Sequence, residues 1–187
     1  MRLLRSLIGV GFLILAAGSA SASLVVALDL PSMVSRADNV AIVDVMSVKS
    51  AWDERRERIL TTIDLAVVES WKGTMAPAAH VSVVQKGGTV GDTTMTVFGM
   101  TRFSPGERAL VFLEGPADHA RVVGMAQGKR IMMRDATTRR WMVRAANRSG
   151  AAFVRTTPAT PAVDARIRPL DDMRAEILGL VGKASQR

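Results

Sequence analysis

The side chains able to do chemistry in this sequence are few and stand apart. His80 and His119 are its only histidines, and it has no cysteine. Zinc is held by three or four ligands, drawn mostly from His and Cys. No metal site is therefore expected, and thiol catalysis, thiolate ligation and redox exchange are excluded. A catalytic triad would have to recruit one of two isolated imidazoles. No Gly-x-Ser-x-Gly elbow occurs, and Ser104 lies in a Pro-Gly turn. The run Gly87-Gly88-Thr89-Val90-Gly91 has the glycine content of a phosphate loop. Such a loop must feed a helix whose first N–H groups point at the anion. Here Thr93 to Phe98 reads as a strand, so a hairpin turn is expected instead. No cofactor is implied, and a non-catalytic protein is the expectation.

Charge offers more. The chain carries 25 basic and 17 acidic residues, a formal net charge of +8. Lys129, Arg130, Arg134, Arg139, Arg140, Arg144 and Arg148, followed by Arg155, are opposed in their span only by Asp135. A stripe of this kind suits acidic polymers, lipid head groups or an acidic protein face; the alternative is that the arginines decorate solvated strand faces. The first seven are the candidate polyanion-binding residues. Nucleic acid fits less well, because base stacking needs aromatic side chains and this sequence has no tyrosine and 4% aromatic residues. The run Asp53-Glu54-Arg55-Arg56-Glu57-Arg58 mixes signs and reads as a solvated loop.

These residues must be held by a small β-rich domain. Met1 to Ala22 has the form of a secretory leader. Arg2 and Arg5 precede the uncharged run Leu7 to Ala17, and Ala20-Ser21-Ala22 supplies small residues at the cleavage positions. The apolar run is shorter than the roughly 20 residues of a comfortable membrane span. Export to the periplasm or medium is expected, with an uncleaved anchor as the alternative and the mature chain starting at Ser23. Residues 23–155 read as one β domain. Asp29 can cap a short helix through Ala37, with Pro31 in its first turn. Val40–Val48, Ile59–Trp71, Val81–Gln85, Thr93–Phe98 and Arg108–Leu113 are strand candidates, rich in β-branched residues. Val122–Ala126 and Lys129–Arg134 flank Gln127-Gly128 like the arms of a hairpin, and Arg139–Val143 can add a last strand. Residues 156–169, with three prolines, read as a linker. Leu170, Met173, Ile177, Leu180 and Val181 keep the helical period, which predicts an amphipathic helix over 170–183 packed on the strands. About eight short strands and a terminal helix imply a mainly β fold, a small barrel or sandwich. The barrel is preferred because closure hides strand edges.

The order of small motifs resembles a family of uncharacterised bacterial exported proteins. The residues that carry the resemblance are Arg36-Ala37-Asp38-Asn39 before the Val40 strand, Ile59-Leu60-Thr61-Thr62, and Trp71-Lys72-Gly73. Gly87-Gly88, Phe103, Gly106-Glu107-Arg108, Leu110-Val111-Phe112-Leu113, Gly124 and Gln127-Gly128-Lys129 continue it. More distantly, the layout is similar to netrin-like domains and tissue inhibitors of metalloproteinases. The resemblance implies an OB-like barrel. The inhibitors chelate zinc through an amino-terminal cysteine, which this chain lacks. The expected function is a secreted or periplasmic binding module that contacts a protein or an anionic envelope polymer through loops or a basic face. A protease-associated or inhibitor-like domain and an extracytoplasmic hydrolase are the alternatives.

Overall fold

A computed structural model of the chain describes residues 24–146, 152–154 and 166–185. The leader Met1–Ala22, Arg148, Arg155 and the prolines of 156–165 lie outside the described residues. A short strand, β1 (Leu24–Val26), leads to helix α1 (Leu30–Arg36). The helix starts where Asp29 Oδ1 accepts a hydrogen bond from Ser32 N at 2.8 Å. Hydrogen bonds from Ser32 hold the Asp29 carboxyl below its ordinary range, as expected for a carboxylate capping a helix. Two 14-residue strands follow, β2 (Asn39–Trp52) and β3 (Ile59–Lys72), paired as one long hairpin. Next come β4 (His80–Lys86), a small hairpin of β5 (Gly88–Val90) with β6 (Thr93–Met95), and β7 (Arg108–Glu114). The chain continues through β8 (Arg121–Val122), a 3-10 turn at Met125–Gly128, β9 (Lys129–Arg134) and β10 (Trp141–Ala145). Last are β11 (Ala152–Val154), parallel to β1, then β12 (Arg168–Pro169) and helix α2 (Leu170–Ser185).

The fold is mainly β, with the two helices where the sequence places them. The sheet runs β12-β10-β9-β7-β2-β3-β4, with β8 also on β7. One edge of β7 pairs with β2; the other is shared. Residues 109–111 pair with β9, and residues 113–114 pair with β8. Just before β8, Ala120 forms a parallel bridge to Val83 of β4. Ser82 N donates to Ala117 O, Ala120 N to Ser82 O, and Val84 N to Ala120 O, at 2.7, 2.9 and 3.1 Å. The pairings thus make a circuit, β2-β3-β4-β8-β7-β2, while β9, β10 and β12 splay off as a flap.

Two cores follow from this split. One fills the circuit with Val43, Val45, Ile63, Leu65, Val83 and Val111. The other lies between the outer face of β2 and β7, the flap and both helices, and includes Val40, Ile42, Phe112, Val143, Met173 and Ile177. Residues 39–43 of β2 and 109–113 of β7 are buried on both faces, which explains their unbroken apolar runs. Strand β3 has one buried face, and residues 59–67 alternate strictly. Register shifts in the β2–β3 pair leave Met46 and Val68 unopposed, and both are exposed. Such bulges bend a strand.

Two expectations change. Residues 122–126 and 129–134 are not two arms of one hairpin: β8 and β9 each pair with β7, and the turn between them is a 3-10 helix. Gly128 permits this, because a Cβ there would stand 2.3 Å from Val123 O. The expected linker also ends in the sheet, since Pro169 pairs with Met142 and Arg168 with Val143.

The Asp38-Asn39 and Lys72-Gly73 pairs form one fastening. Lys72 Nζ donates to Val34 O and Ala37 O at 2.7 and 2.5 Å, closing the end of α1. Asp38 Oδ2 accepts from Gly115 N, and Asn39 Oδ1 from Thr74 N. Gly73 has φ +92°, and a Cβ there would lie 2.0 Å from Asn39 Oδ1. Gly91 has φ +57° with nothing within 4 Å. Gly91→Ala should therefore cost about 1 kcal/mol of backbone strain alone. Gly73→Ala should cost at least about 2 kcal/mol more, through loss of the Asn39 contact. Urea unfolding midpoints check this; equal losses would mean that the Lys72-Gly73 turn yields freely.

Candidate functional site

The chemically able residues of the sequence do not converge. His80 opens β4, His119 lies in the segment before β8, and both are exposed. Neither imidazole has a hydrogen-bond partner among the described residues. A general base needs an orienting partner and a nucleophile within hydrogen-bond reach, and neither geometry is present at these two. Among the described residues no three His, Asp or Glu side chains gather as a metal site. The glycine-rich run forms the β5–β6 hairpin and feeds no helix. In the mixed charge run, Asp53 Oδ1 accepts from Glu57 N and Arg58 N at 2.8 and 3.2 Å, so this loop is tied to itself.

The seven basic candidates also separate. Lys129 and Arg130 are buried, at 1% and 3% exposure, and cannot belong to a solvent-facing basic stripe. Lys129 Nζ meets Glu107 Oε1 at 2.6 Å, donates to Arg102 O at 2.5 Å and lies 4.3 Å from the centre of the Phe103 ring. Burial pushes the Lys129 pKa down, against the opposing pull of Glu107. Arg130 Nη1 donates to Gln127 O at 2.5 Å. Arg134 faces Trp141 across β9 and β10, with its guanidinium 4.3 Å from the ring centre. Successive strand residues point to opposite faces. Arg144, three positions on from Trp141, therefore points away from that pair. Arg139 sits in the hairpin turn at φ +58°. Arg140 reaches Asp171 of α2 at 3.0 Å. What remains of the stripe is Arg134, Arg139 and Arg140 at one hairpin end, with an acidic helix start beside it.

The small glycine-flanked motifs of the sequence hold the fold. Gln127 Oε1 accepts from Leu28 N, and its Nε2 donates to Val26 O at 2.9 Å, clamping the incoming chain. Glu107 receives Lys129, and Arg108 makes a two-pronged pair with Asp44, both bonds 2.7 Å. Thr61 Oγ1 donates to Gly87 O at 2.5 Å and is 2.8 Å from Ser50 Oγ, which then acts as the donor to Thr61. A Cβ on Gly88 would lie 2.3 Å from Ser50 Oγ, so only glycine lets this strand approach.

The arrangement that sequence reasoning missed is a cleft beside that Ser50–Thr61 contact. It has a volume of about 410 Å³, and its walls come from the far parts of β2 and β3, the end of β4, and residues 87–103. Ser50, Thr61, Gln85, Thr89, Thr94 and Thr96 give it a neutral polar lining, and Val48, Met95, Val97 and Phe103 an apolar one. Lys86 and Arg102 are the charged residues of its described lining, and neither has an ion-pair partner among the described residues. Lys129 fixes the loop behind it, since Arg102, Phe103 and Glu107 are all its partners. The lining is drawn from four separated stretches of sequence, each unremarkable alone; the one local signal was the glycine pair at 87–88.

In comparisons with protein-family models, curated proteins and solved structures, none matches this chain.

Two predictions test this geometry. Breaking a buried pair costs about 3–5 kcal/mol, so Lys129→Met should lower stability by that order. Removing the stranded charge as well, in Lys129→Met/Glu107→Gln, should recover part of the loss in a denaturation series. A fully stable Lys129→Met would show that the loop does not hang on this cation. Arg108 holds the Asp44 carboxyl below its ordinary value. The stabilisation is therefore complete above the unfolded-state value of about 4 and is lost as pH falls through the folded-state value. Both partners are more than a third exposed, so Asp44→Asn should cost under about 1 kcal/mol at neutral pH. The cost should vanish in strong acid, as measured by thermal unfolding across pH.

Proposed function

We propose that this chain is an exported, non-catalytic binding module that holds a segment of an anionic envelope polymer in the cleft formed by β2–β4 and residues 87–103. The export half rests on the leader-like Met1–Ala22. The binding half rests on one observation above the others: a cleft of about 410 Å³ lined by hydroxyls and an amide, with two cations that lack an ion-pair partner among the described residues and no carboxylate among its described lining. Ligand sites commonly measure about 300–1,000 Å³, with apolar walls and a few placed polar groups. Hydroxyl and amide groups exchange hydrogen bonds with the hydroxyls of a glycan, and Lys86 and Arg102 meet its acidic groups. The five-strand circuit is consistent with the OB-like barrel that the family resemblance implies. OB folds bind oligosaccharides and oligonucleotides on a strand face and its loops. The small number of aromatic side chains favours the sugar over the nucleotide.

This reading moves the contact from the arginine stripe to the loops. The test is calorimetric titration of residues 23–187 with a uronic-acid hexasaccharide. Binding should weaken as salt is added, because exposed charge pairs are screened. Lys86→Ala/Arg102→Ala should lower affinity about tenfold, the sum of two exposed ion pairs. Arg134→Ser/Arg139→Ser/Arg140→Ser should leave it unchanged. The reverse pattern would return the contact to the β9–β10 hairpin, and no binding by either route would sink the polymer reading.

A further inference from the structure

The cleft has a neighbour. On the other side of Gln85 and Thr101 lies a second depression of about 560 Å³, bounded by Leu28, Val84, Val122 and Met125. Gln85, Met100 and Thr101 line both spaces. The partition between them is thin. It consists of one strand residue and two loop residues, and Gln85 Nε2 donates to Thr101 O at 3.0 Å across it. Thr101 is 1% exposed, and its hydroxyl has no hydrogen-bond partner. Buried polar groups are nearly always paired, and an exception calls for an explanation. The hydroxyl is itself closed off from both spaces, so what the partition presents to either one is Gln85 and Met100, both half-buried.

Each side of the partition has its own cations. Lys86 and Arg102 stand at the cleft. Arg36 and Arg121 stand at the depression, with Glu114 beside Arg121 at 3.9 Å. Both spaces are of ligand size, carry more basic than acidic lining residues and share the Gln85 amide, while the depression is otherwise walled mainly by apolar residues. A small ligand needs only one of these spaces; a chain of repeating acidic, hydroxylated units has a use for both.

We infer that the cleft and the depression are adjoining subsites of one groove, which takes successive units of a single anionic glycan chain across the Gln85–Thr101 partition. This rests on the proposed polymer-binding function and adds its length requirement. Linking units in one chain makes engagement of the second subsite intramolecular, so affinity should climb with chain length without any new kind of contact.

The experiment is titration of residues 23–187 with uronic-acid di- and hexasaccharides. The wild-type chain should bind the hexasaccharide at least about tenfold tighter than the disaccharide. Arg36→Ser/Arg121→Ser should bring the hexasaccharide down to the disaccharide level and leave the disaccharide unchanged. Both substitutions are at the surface, and far-ultraviolet circular dichroism checks that the fold survives them. Equal affinity for the two lengths, or a hexasaccharide indifferent to Arg36→Ser/Arg121→Ser, would overturn the two-subsite groove while leaving the cleft as a single-unit site. Failure of both sugars to bind would remove the polymer function and the groove together.

Discussion

Everything else in the structure is arranged around a strand with too many neighbours. Strand β7 gives one edge to β2 and divides the other between β9 and β8. A single straight partner would have produced an open sheet. Dividing the edge sends β8 towards β4 and turns the inner five strands into a circuit, while β9 carries the chain outward. Both faces of β7 are then covered, so Ala109 to Leu113 are all buried. Its outer face demands a second layer, which α1, α2 and the flap provide. The helices are thus a consequence of the split: without them Leu110 and Phe112 would face water.

The charged side chains serve this arrangement more than they serve solvent. Burying an ammonium is costly unless it is paired and its hydrogen bonds are satisfied. Lys129 meets that condition with a carboxylate, a carbonyl and an aromatic face, all from residues 102–107. Lys72 does the same for the end of α1 with two carbonyls. In both cases a long cation reaches across the structure to hold a loop or a helix terminus. A domain without cysteines needs some such cross-links, because hydrophobic contact alone is non-directional and does not fix where a loop ends.

This is why the sequence was legible in its strands and misleading in its charges. Periodicity reports what a strand or helix buries, so β3, β4, β7, α1 and α2 were found close to their true bounds, while β2 runs four residues past the expected Val48, where its side chains are no longer buried. The ends failed where pairing was non-local. β5 was hidden in a glycine-rich loop, and β8 was fused with the 3-10 turn that follows it. Charge carries no such periodic signature. Lys129 and Arg130 look like the start of a basic stripe, yet they are the two most buried of its described members. The available clue was company: Lys129 follows Gln127-Gly128, and Glu107 follows Gly106. Polar residues set beside turn glycines are often fastenings, because a glycine lets the backbone approach closely enough for a side chain to cap it.

The same logic explains why the cleft was invisible and why it is a better place for recognition than the stripe. Arg134, Arg139 and Arg140 sit on a hairpin end where Asp171 pairs with Arg140 and Arg134 donates to Arg139 O, so a polymer arriving there competes with contacts already made. Lys86 and Arg102 have no such competitor among the described residues. The loop of Arg102 is held at its base by Lys129 and at Thr101 by Gln85, and the Ser50 and Thr61 hydroxyls come from the paired strands β2 and β3. Rigid support lowers the ordering cost of binding. A site assembled in this way leaves almost no mark in linear sequence, because its members are chosen by the strand pairings that bring Ser50, Gln85 and Thr101 to one end of the sheet.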